Sequence, residues 1–353
     1  MLVYWFNILS IPIWYSLIIN SKLKKTKQTN LLLVIIFFQW LIIASLRHLN
    51  VGWDTPTYAD YFESISSYGV SLSFIAFRLE PFYILLNYAV GFLSKSPHFL
   101  YFVVAFLIYS LILRRMPRYS FIPWLSCFLF IAFGFYNFSI NILRQSISIA
   151  IIIFSLKYIV DRKSLAFLIC VLIATLFHYT SIVFIITYPL FNLPINLKSY
   201  IIIIIASLLA SYLILPRIMR FVISANPYYE MHLSGNGSSG FGMLSMIILT
   251  TLCSLILFKG KPIDGYGRLW FIMLFIATGM QFASLKISIL VRLVYFWQIS
   301  MIFIFPYIIH FQQNRNNKIF ILIFTVLISL IYYSNYAINV NDVNGTVPYK
   351  TFL

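Results

Sequence analysis

Residues 31–46 read Leu-Leu-Leu-Val-Ile-Ile-Phe-Phe-Gln-Trp-Leu-Ile-Ile-Ala-Ser-Leu. A helix of this length nearly crosses the ~30 Å hydrocarbon core of a bilayer. Runs of the same kind recur at Ile201–Leu215 and Ile319–Tyr333. Across the chain 61% of residues are hydrophobic and only 9% are charged, against roughly a quarter charged in a water-soluble domain. A soluble fold of 353 residues has no place to bury that surplus. In lipid the backbone must satisfy its own hydrogen bonds, which leaves helices or a closed barrel. The alternating pattern of barrel strands is absent. The expected fold is all-α and integral to the membrane: one polytopic bundle of about 12 transmembrane helices.

Leu2–Ile19 is followed, not preceded, by basic residues and lacks a small-residue cleavage site, so it reads as a retained span. Further spans are expected near 31–46, 99–113, 120–137, 142–160, 164–177, 180–191, 198–215, 241–258, 268–284, 293–310 and 318–336. Cys127, Cys170 and Cys253 all lie inside apolar runs and read as packing residues rather than a disulfide frame or metal site. The net charge of +17 invites a nucleic-acid reading, but its distribution indicates membrane orientation. The loops holding Lys22–Lys27, Arg114–Arg118, Lys157–Lys163, Lys198, Lys259–Arg268 and Arg315–Lys318 carry 16 of the 25 basic residues and two of the eight acids. By the positive-inside rule these loops face the cytoplasm, and both termini lie outside.

Pro81–Ser94 breaks this parity. A full crossing there would turn every later basic loop outward. The segment is therefore expected to be re-entrant or interfacial, and 47–98 to form an outer, site-building loop. Irregular backbone at depth is tolerated only where protein or a water-filled cavity surrounds it. A second outer loop is expected at 216–240, ending in the flexible run Ser234–Gly240.

The residues that can carry chemistry lie on this outer side. Arg47-His-Leu-Asn-Val-Gly-Trp-Asp54-Thr-Pro-Thr-Tyr58 reads either as an Asp54 N-cap with Pro56 in the first turn of a helix over Thr57–Ser66, or as part of a site displaying Tyr58. Glu80, before Pro81, is a salt-bridged cap or a site acid. Asn141, Arg144 and Ser148 fall on one helical stripe. Arg144 opposes the helix dipole in a first turn and needs an anion, from a carboxylate or a ligand phosphate. His178 joins two short apolar segments, as a packing residue or a proton carrier. Arg292 opens a further outer-facing helix. Arg47, Arg78, Arg144 and Arg292 at one depth suit a pyrophosphate at headgroup level, since guanidinium matches phosphate oxygens in a bidentate fork. P-loop, Rossmann glycines, nucleophile elbow and zinc cluster are all missing.

Together these residues resemble the EpsG-like family of polysaccharide polymerases, within the O-antigen polymerase group. The resemblance rests on Arg47–Tyr58 with its Val-Gly-Trp-Asp-Thr core, Glu80-Pro81-Phe-Tyr, Arg144-Gln145, Phe177-His178-Tyr-Thr-Ser181, and Arg292–Tyr295 with Pro306 downstream. Trp53 stands where a smaller residue is expected. The resemblance implies a glycosyltransferase at the outer face of the bacterial inner membrane. It would join oligosaccharide repeat units carried on undecaprenyl pyrophosphate, for O-antigen, capsule or exopolysaccharide, with a flippase and a chain-length regulator as companions. His178, Asp54 and Glu80 are then the candidate general bases, in that order. Arg47, Arg78, Arg144 and Arg292 are the pyrophosphate ligands, and Tyr58, Gln145 and Tyr295 are further substrate contacts. No cofactor, metal or nucleic acid is expected, and direct displacement would invert the anomeric carbon.

Three rivals remain at this level. A membrane O-acyltransferase would also use a histidine but needs a path for a cytoplasmic acyl donor. A lipid-linked sugar flippase would show inverted repeats and mid-membrane charges, and neither is visible. A ligase moving finished polymer differs in reaction rather than in sequence.

Overall fold

The computed structural model describes residues 1–77, 79–213, 241–258, 263–285, 290–339 and 344–352. Helices dominate, and no strand occurs among the described residues; one isolated antiparallel bridge pairs Arg47 with Thr351. The expected loop at 216–240 and Arg78 lie outside the described residues. Two compact units emerge: Met1–Ile182 with Gln312–Leu353, and Val183–Phe311.

Among the described residues, six helices are long and apolar enough to cross a membrane, or seven if one bent pair counts as a span. They include α1 (Leu2–Ile19), α2 (Lys25–Ser45), α6 (Pro97–Tyr119) and α9 (Leu143–Val160). Five shorter apolar helices of 10–17 residues accompany them. The expectation of about 12 transmembrane helices is met only in part, since the remaining apolar helices among the described residues are short. The segment expected at 268–284 is a helix, Gly265–Ser284, but not among the six; Arg268, Thr278 and Gln281 dilute its apolarity.

Polar side chains hold α1 to α2. Gln39 accepts from Ser10 Oγ at 3.0 Å and Trp14 Nε1 at 2.9 Å, and donates to Asn7 Oδ1 at 2.7 Å. In lipid, such bonds and close packing replace the hydrophobic drive between helices. Trp40 on α2 stacks on Phe130 with centroids 4.9 Å apart and meets Tyr109 edge-on at 5.4 Å, which centres the core of the first unit.

Three local expectations change. The continuous span at 120–137 is two helices, α7 (Pro123–Ala132) and α8 (Phe135–Asn141), bent by 60°. Gly134 sits between them at φ 78°, a left-handed conformation open to glycine. The Asn141–Arg144–Ser148 stripe is also interrupted, because Ile142 has ψ 76° and α9 starts afresh at Leu143. The segment at 180–191 is a 3₁₀ stretch, Tyr179–Ile186, followed by one α turn.

α5 (Pro81–Leu93) is a 13-residue helix, about 20 Å long at 1.5 Å per residue, which falls short of ~30 Å. It packs against α3 (Thr55–Tyr68) and α10 (Ser164–Phe177). The Gly91 approach to Ser66 leaves no room for a Cβ, which would lie 2.7 Å from Ser66 Cβ. α3 is longer than the sequence predicts. Asp54 occupies its N-cap position with Pro56 in the first turn, but its side chain makes no capping hydrogen bond. The start is held instead by Thr55 Oγ1 donating to Val51 O at 2.8 Å and by Asp54 N donating to Asn141 Oδ1 at 2.9 Å.

Candidate active site

Three sequence-distant residues meet where α5, α9 and α10 come together. Glu80 caps α5 from an extended backbone (φ −66°, ψ 139°), so its carboxylate points back into the bundle. It is 3% exposed. Its Oε2 accepts from Arg144 Nη1 at 2.5 Å, and its Oε1 from His178 Nδ1 at 3.0 Å and from Tyr179 N at 3.4 Å. Arg144 comes from the first turn of α9. His178 stands at the end of α10, where its extended backbone (φ −157°, ψ 111°) breaks the helix and turns the ring toward Glu80. Its carbonyl is capped by Ser181 N at 3.0 Å and Ser181 Oγ at 2.8 Å.

The electrostatics follow from burial and contact. Burial pushes the Glu80 carboxyl up. The His178 hydrogen bond and the Arg144 charge outweigh it and hold the group down at about 2. Glu80 is thus an ionised acceptor at neutral pH and a poor base. With Nδ1–H donated to Glu80, the proton-accepting atom of neutral His178 is Nε2. This is the base-and-orienter geometry of nucleophile activation. Arg144 spends Nη1 on Glu80, while its buried Nε has no partner. Its side chain keeps 24% exposure, and that of His178 keeps 13%. The cluster is closed at Glu80 and most open at Arg144; His178 Nε2 is itself buried.

Aromatic residues line it. The Arg144 guanidinium lies 5.9 Å from the Tyr58 ring centroid, and Tyr58 meets buried Tyr83 edge-on at 5.7 Å. Asp54, one helical turn before Tyr58, is half-buried and forms no ion pair among the described residues. Its loop is fixed by Asn141, three residues before Arg144. Gln145 is fully buried beside Arg144 in α9.

Arg47 and two residues of the second unit, Arg292 and Tyr295, make up the rest of the described predicted set. Arg47 is 1% exposed, and its guanidinium sits over the Tyr101 ring, 4.2 Å from the centroid. Burial pushes its pKa down from the usual arginine value. Arg292 is exposed and Tyr295 half-buried in the second unit, three positions apart in the helix Val291–Gln298. Sequence reasoning missed Tyr83, although the quoted Glu80-Pro81-Phe-Tyr motif contains it, and missed the segment Asn344–Phe352. That segment lies on the Arg47–Trp53 loop through Gly52 N to Gly345 O at 2.9 Å and Trp53 N to Asn344 O at 3.1 Å. Its short polar sequence carries no helical or strand period to flag it.

The opposite end of the same bundle is marked too. Arg118, in the last turn of α6, pairs with Asp161 at the end of α9 at 3.3 Å. The 18 residues of α9 put this pair about 27 Å from the helix start that carries Arg144. The Glu80 cluster and a loop read as cytoplasmic therefore occupy opposite ends of one span-length helix.

Comparison with known proteins gives one result at the level of the whole chain: the EpsG family model matches residues 2–351. Neither the curated proteins nor the solved structures give a match.

Proposed function

The chain belongs to the EpsG family, a polysaccharide polymerase-like family, and from that premise we propose that it is a membrane glycosyltransferase that polymerises lipid-linked oligosaccharide repeat units. The donor is a repeat unit on undecaprenyl pyrophosphate, presented at the outer face of a bacterial inner membrane. The product is a surface polysaccharide such as O-antigen, capsule or exopolysaccharide. The observation that supports this reading is Glu80 held between Arg144 and His178 at one end of a span-length helix.

In this reading the acceptor sugar hydroxyl gives its proton to His178 Nε2 as its oxygen attacks the anomeric carbon of the donor. The bond from that carbon to the pyrophosphate oxygen breaks, and the diphosphate leaves with the electron pair. One displacement inverts the anomeric centre. Glu80 orients the imidazole and stabilises the imidazolium that forms, and a positioned base of this kind is worth ~10²- to 10⁴-fold. Arg144, with N–H groups beyond the one on Glu80, stabilises charge on the leaving diphosphate, an effect worth several kcal/mol in a site shielded from water. Asp54 is the second candidate base. Tyr58 and Gln145 are candidate sugar or phosphate contacts, as is Arg47; Arg292 and Tyr295 are candidates within the second unit.

The short α5 supports the re-entrant or interfacial reading of 81–94, which keeps 47–98 outside. A flippase and a chain-length regulator are the companions such a polymerase needs. The test is a reaction of purified protein with one lipid-linked repeat unit. Growth of a polymer ladder supports the proposal, whereas a single transfer to a different acceptor indicates a ligase and no reaction removes the enzyme reading.

A further inference from the structure

Trp53 is 71% exposed, and it is the one large apolar side chain exposed between residues 43 and 67. Single exposed apolar side chains are ordinary; Trp53 is set apart by how firmly it is held. Trp53 N donates to Asn344 O at 3.1 Å and Gly52 N to Gly345 O at 2.9 Å. Gly345 (φ +63°) lies so close to the indole that a Cβ there would be 2.6 Å from Cδ2 and 2.7 Å from Cε2 and Cγ. Near-equal distances to three atoms of the five-membered ring put the glycine over the ring's face, not its edge. The segment behind the ring is itself fixed. Asn344 and Thr346 are buried, and the Thr346 carbonyl and hydroxyl accept from the Tyr4 hydroxyl at 2.6 Å and from Asn137 Nδ2 at 2.8 Å. One face of the indole is thus backed by anchored main chain, and the other is open.

The surface beside it is polar. Asn50, Thr57, Asp60, Glu63 and Ser67 are exposed, and the last four share one face of α3. A stripe with two carboxylates is costly in hydrocarbon, so this face meets water. Asp54, Asp60 and Glu63 form no ion pair among the described residues. A tryptophan that anchors a protein at headgroup level sits where apolar surface begins, and Trp53 has no exposed apolar neighbour of that kind. The loop is also tied to the candidate active site. Asp54 N, next in the chain, donates to Asn141 Oδ1 at 2.9 Å, three residues before Arg144, the residue at which the Glu80 cluster is most open.

A fixed ring with one free face, beside carboxylates and hydroxyls, has the chemistry to recognise a sugar. The C–H groups on the less hydroxylated face of a pyranose are weakly positive and pack on the negative face of an aromatic ring, while sugar hydroxyls donate to carboxylates. We propose that Trp53 is a stacking platform for a sugar ring of the glycan, outside the Glu80 cluster, and that it holds the chain while the cluster acts on one of its other sugars. That the glycan is the repeat-unit chain rests on the polymerase reading. Trp53 is a binding residue here, not a catalytic one, so its loss should raise KM and leave kcat nearly intact.

The test uses the full chain in phosphatidylcholine nanodiscs, with the lipid-free surface polysaccharide of the producing bacterium as probe. Trp53→Ala should weaken binding about three- to tenfold. Trp53→Tyr should keep most of the affinity, and Trp53→Leu should resemble Trp53→Ala; comparing the Tyr and Leu variants at matched unfolding midpoints separates lost stacking from lost fold. Tyr68→Ala, at the far end of α3, should bind as wild type does. Binding that is unchanged in Trp53→Ala, equal in the Leu and Tyr variants, or absent from wild type overturns the platform. So does quenching by brominated phosphatidylcholine of the fluorescence that Trp53→Phe removes, since it would put the ring in lipid. Chain growth on one lipid-linked repeat unit is measured on the same preparations. Wild type that binds the polysaccharide without extending the repeat unit overturns the polymerase reading and leaves the platform standing, whereas Trp53→Ala that polymerises with wild-type KM overturns the platform alone.

Discussion

Glu80 Oε2 and Arg144 Nη1 lie 2.5 Å apart although 64 residues separate them in sequence. Each answers the other's demand. An arginine in the first turn of a helix opposes the dipole, and a carboxylate 3% exposed needs a cation. Removing either should therefore cost more than removing both. In thermal unfolding of nanodisc-held protein, Glu80→Gln and Arg144→Gln should each destabilise by about 2–4 kcal/mol, given Arg144's partial exposure. A double-mutant cycle should give coupling larger than either single effect, at least ~2 kcal/mol. Strict additivity would show that the pair is not energetically linked.

The same pair sets an acid limb on stability. Glu80 is held at about 2, below its ordinary 4.5. A carboxyl depressed in the folded state stabilises fully above its unfolded pKa and loses that contribution as pH falls through the folded one. The wild type should therefore lose stability between pH 4.5 and 2, and Glu80→Gln should flatten this part of the profile. An acid limb unchanged in the variant would assign it to other carboxyls.

Gly52 is expected to tolerate no side chain. Its φ is +105°, and a Cβ would lie 2.5 Å from Thr55 Oγ1 and 3.3 Å from the backbone of Asn141. Gly52→Ala should cost roughly 1–3 kcal/mol from the left-handed backbone and loosen the Asn141–Asp54 link. The measurements are the unfolding midpoint and hydrogen exchange at the Asp54 amide; an unshifted midpoint with unchanged exchange would refute this.

The proposed topology has 47–98 outside, on the grounds of charge parity and the 13-residue α5. A membrane-impermeant maleimide applied to intact cells with a permeable outer layer should label Asp60→Cys and Ser96→Cys but not Lys163→Cys. Labelling of position 96 only after the membrane is opened would overturn the topology.

Much of this was legible in the sequence, residue by residue. In a chain that is 9% charged, Glu80, Arg144 and His178 stand out against apolar neighbours, and each had one structural and one functional reading. Sequence alone left their meeting unspecified, because 64 and 98 residues separate Glu80 from its two partners and only packing of α5, α9 and α10 brings them together. The bend at Gly134 was hidden because a glycine inside an apolar run reads equally as packing. Asp54 looked like a helix cap on type and position, yet its backbone rather than its carboxylate is engaged, through Asn141. The segment Asn344–Phe352 that pairs with the Arg47–Trp53 loop was invisible for a different reason: its partner lies some 300 positions away, beyond any local period.

The central claim is that His178, oriented by Glu80, takes the acceptor proton during polymerisation. The most direct measurement is chain growth by purified His178→Gln on one lipid-linked repeat unit, beside wild type, with membrane level and unfolding midpoint recorded for both. The account predicts normal membrane level, a near-normal midpoint, and a turnover reduced ~10²- to 10⁴-fold, with single repeat units accumulating on the lipid. A full polymer ladder from His178→Gln at wild-type rate would contradict it.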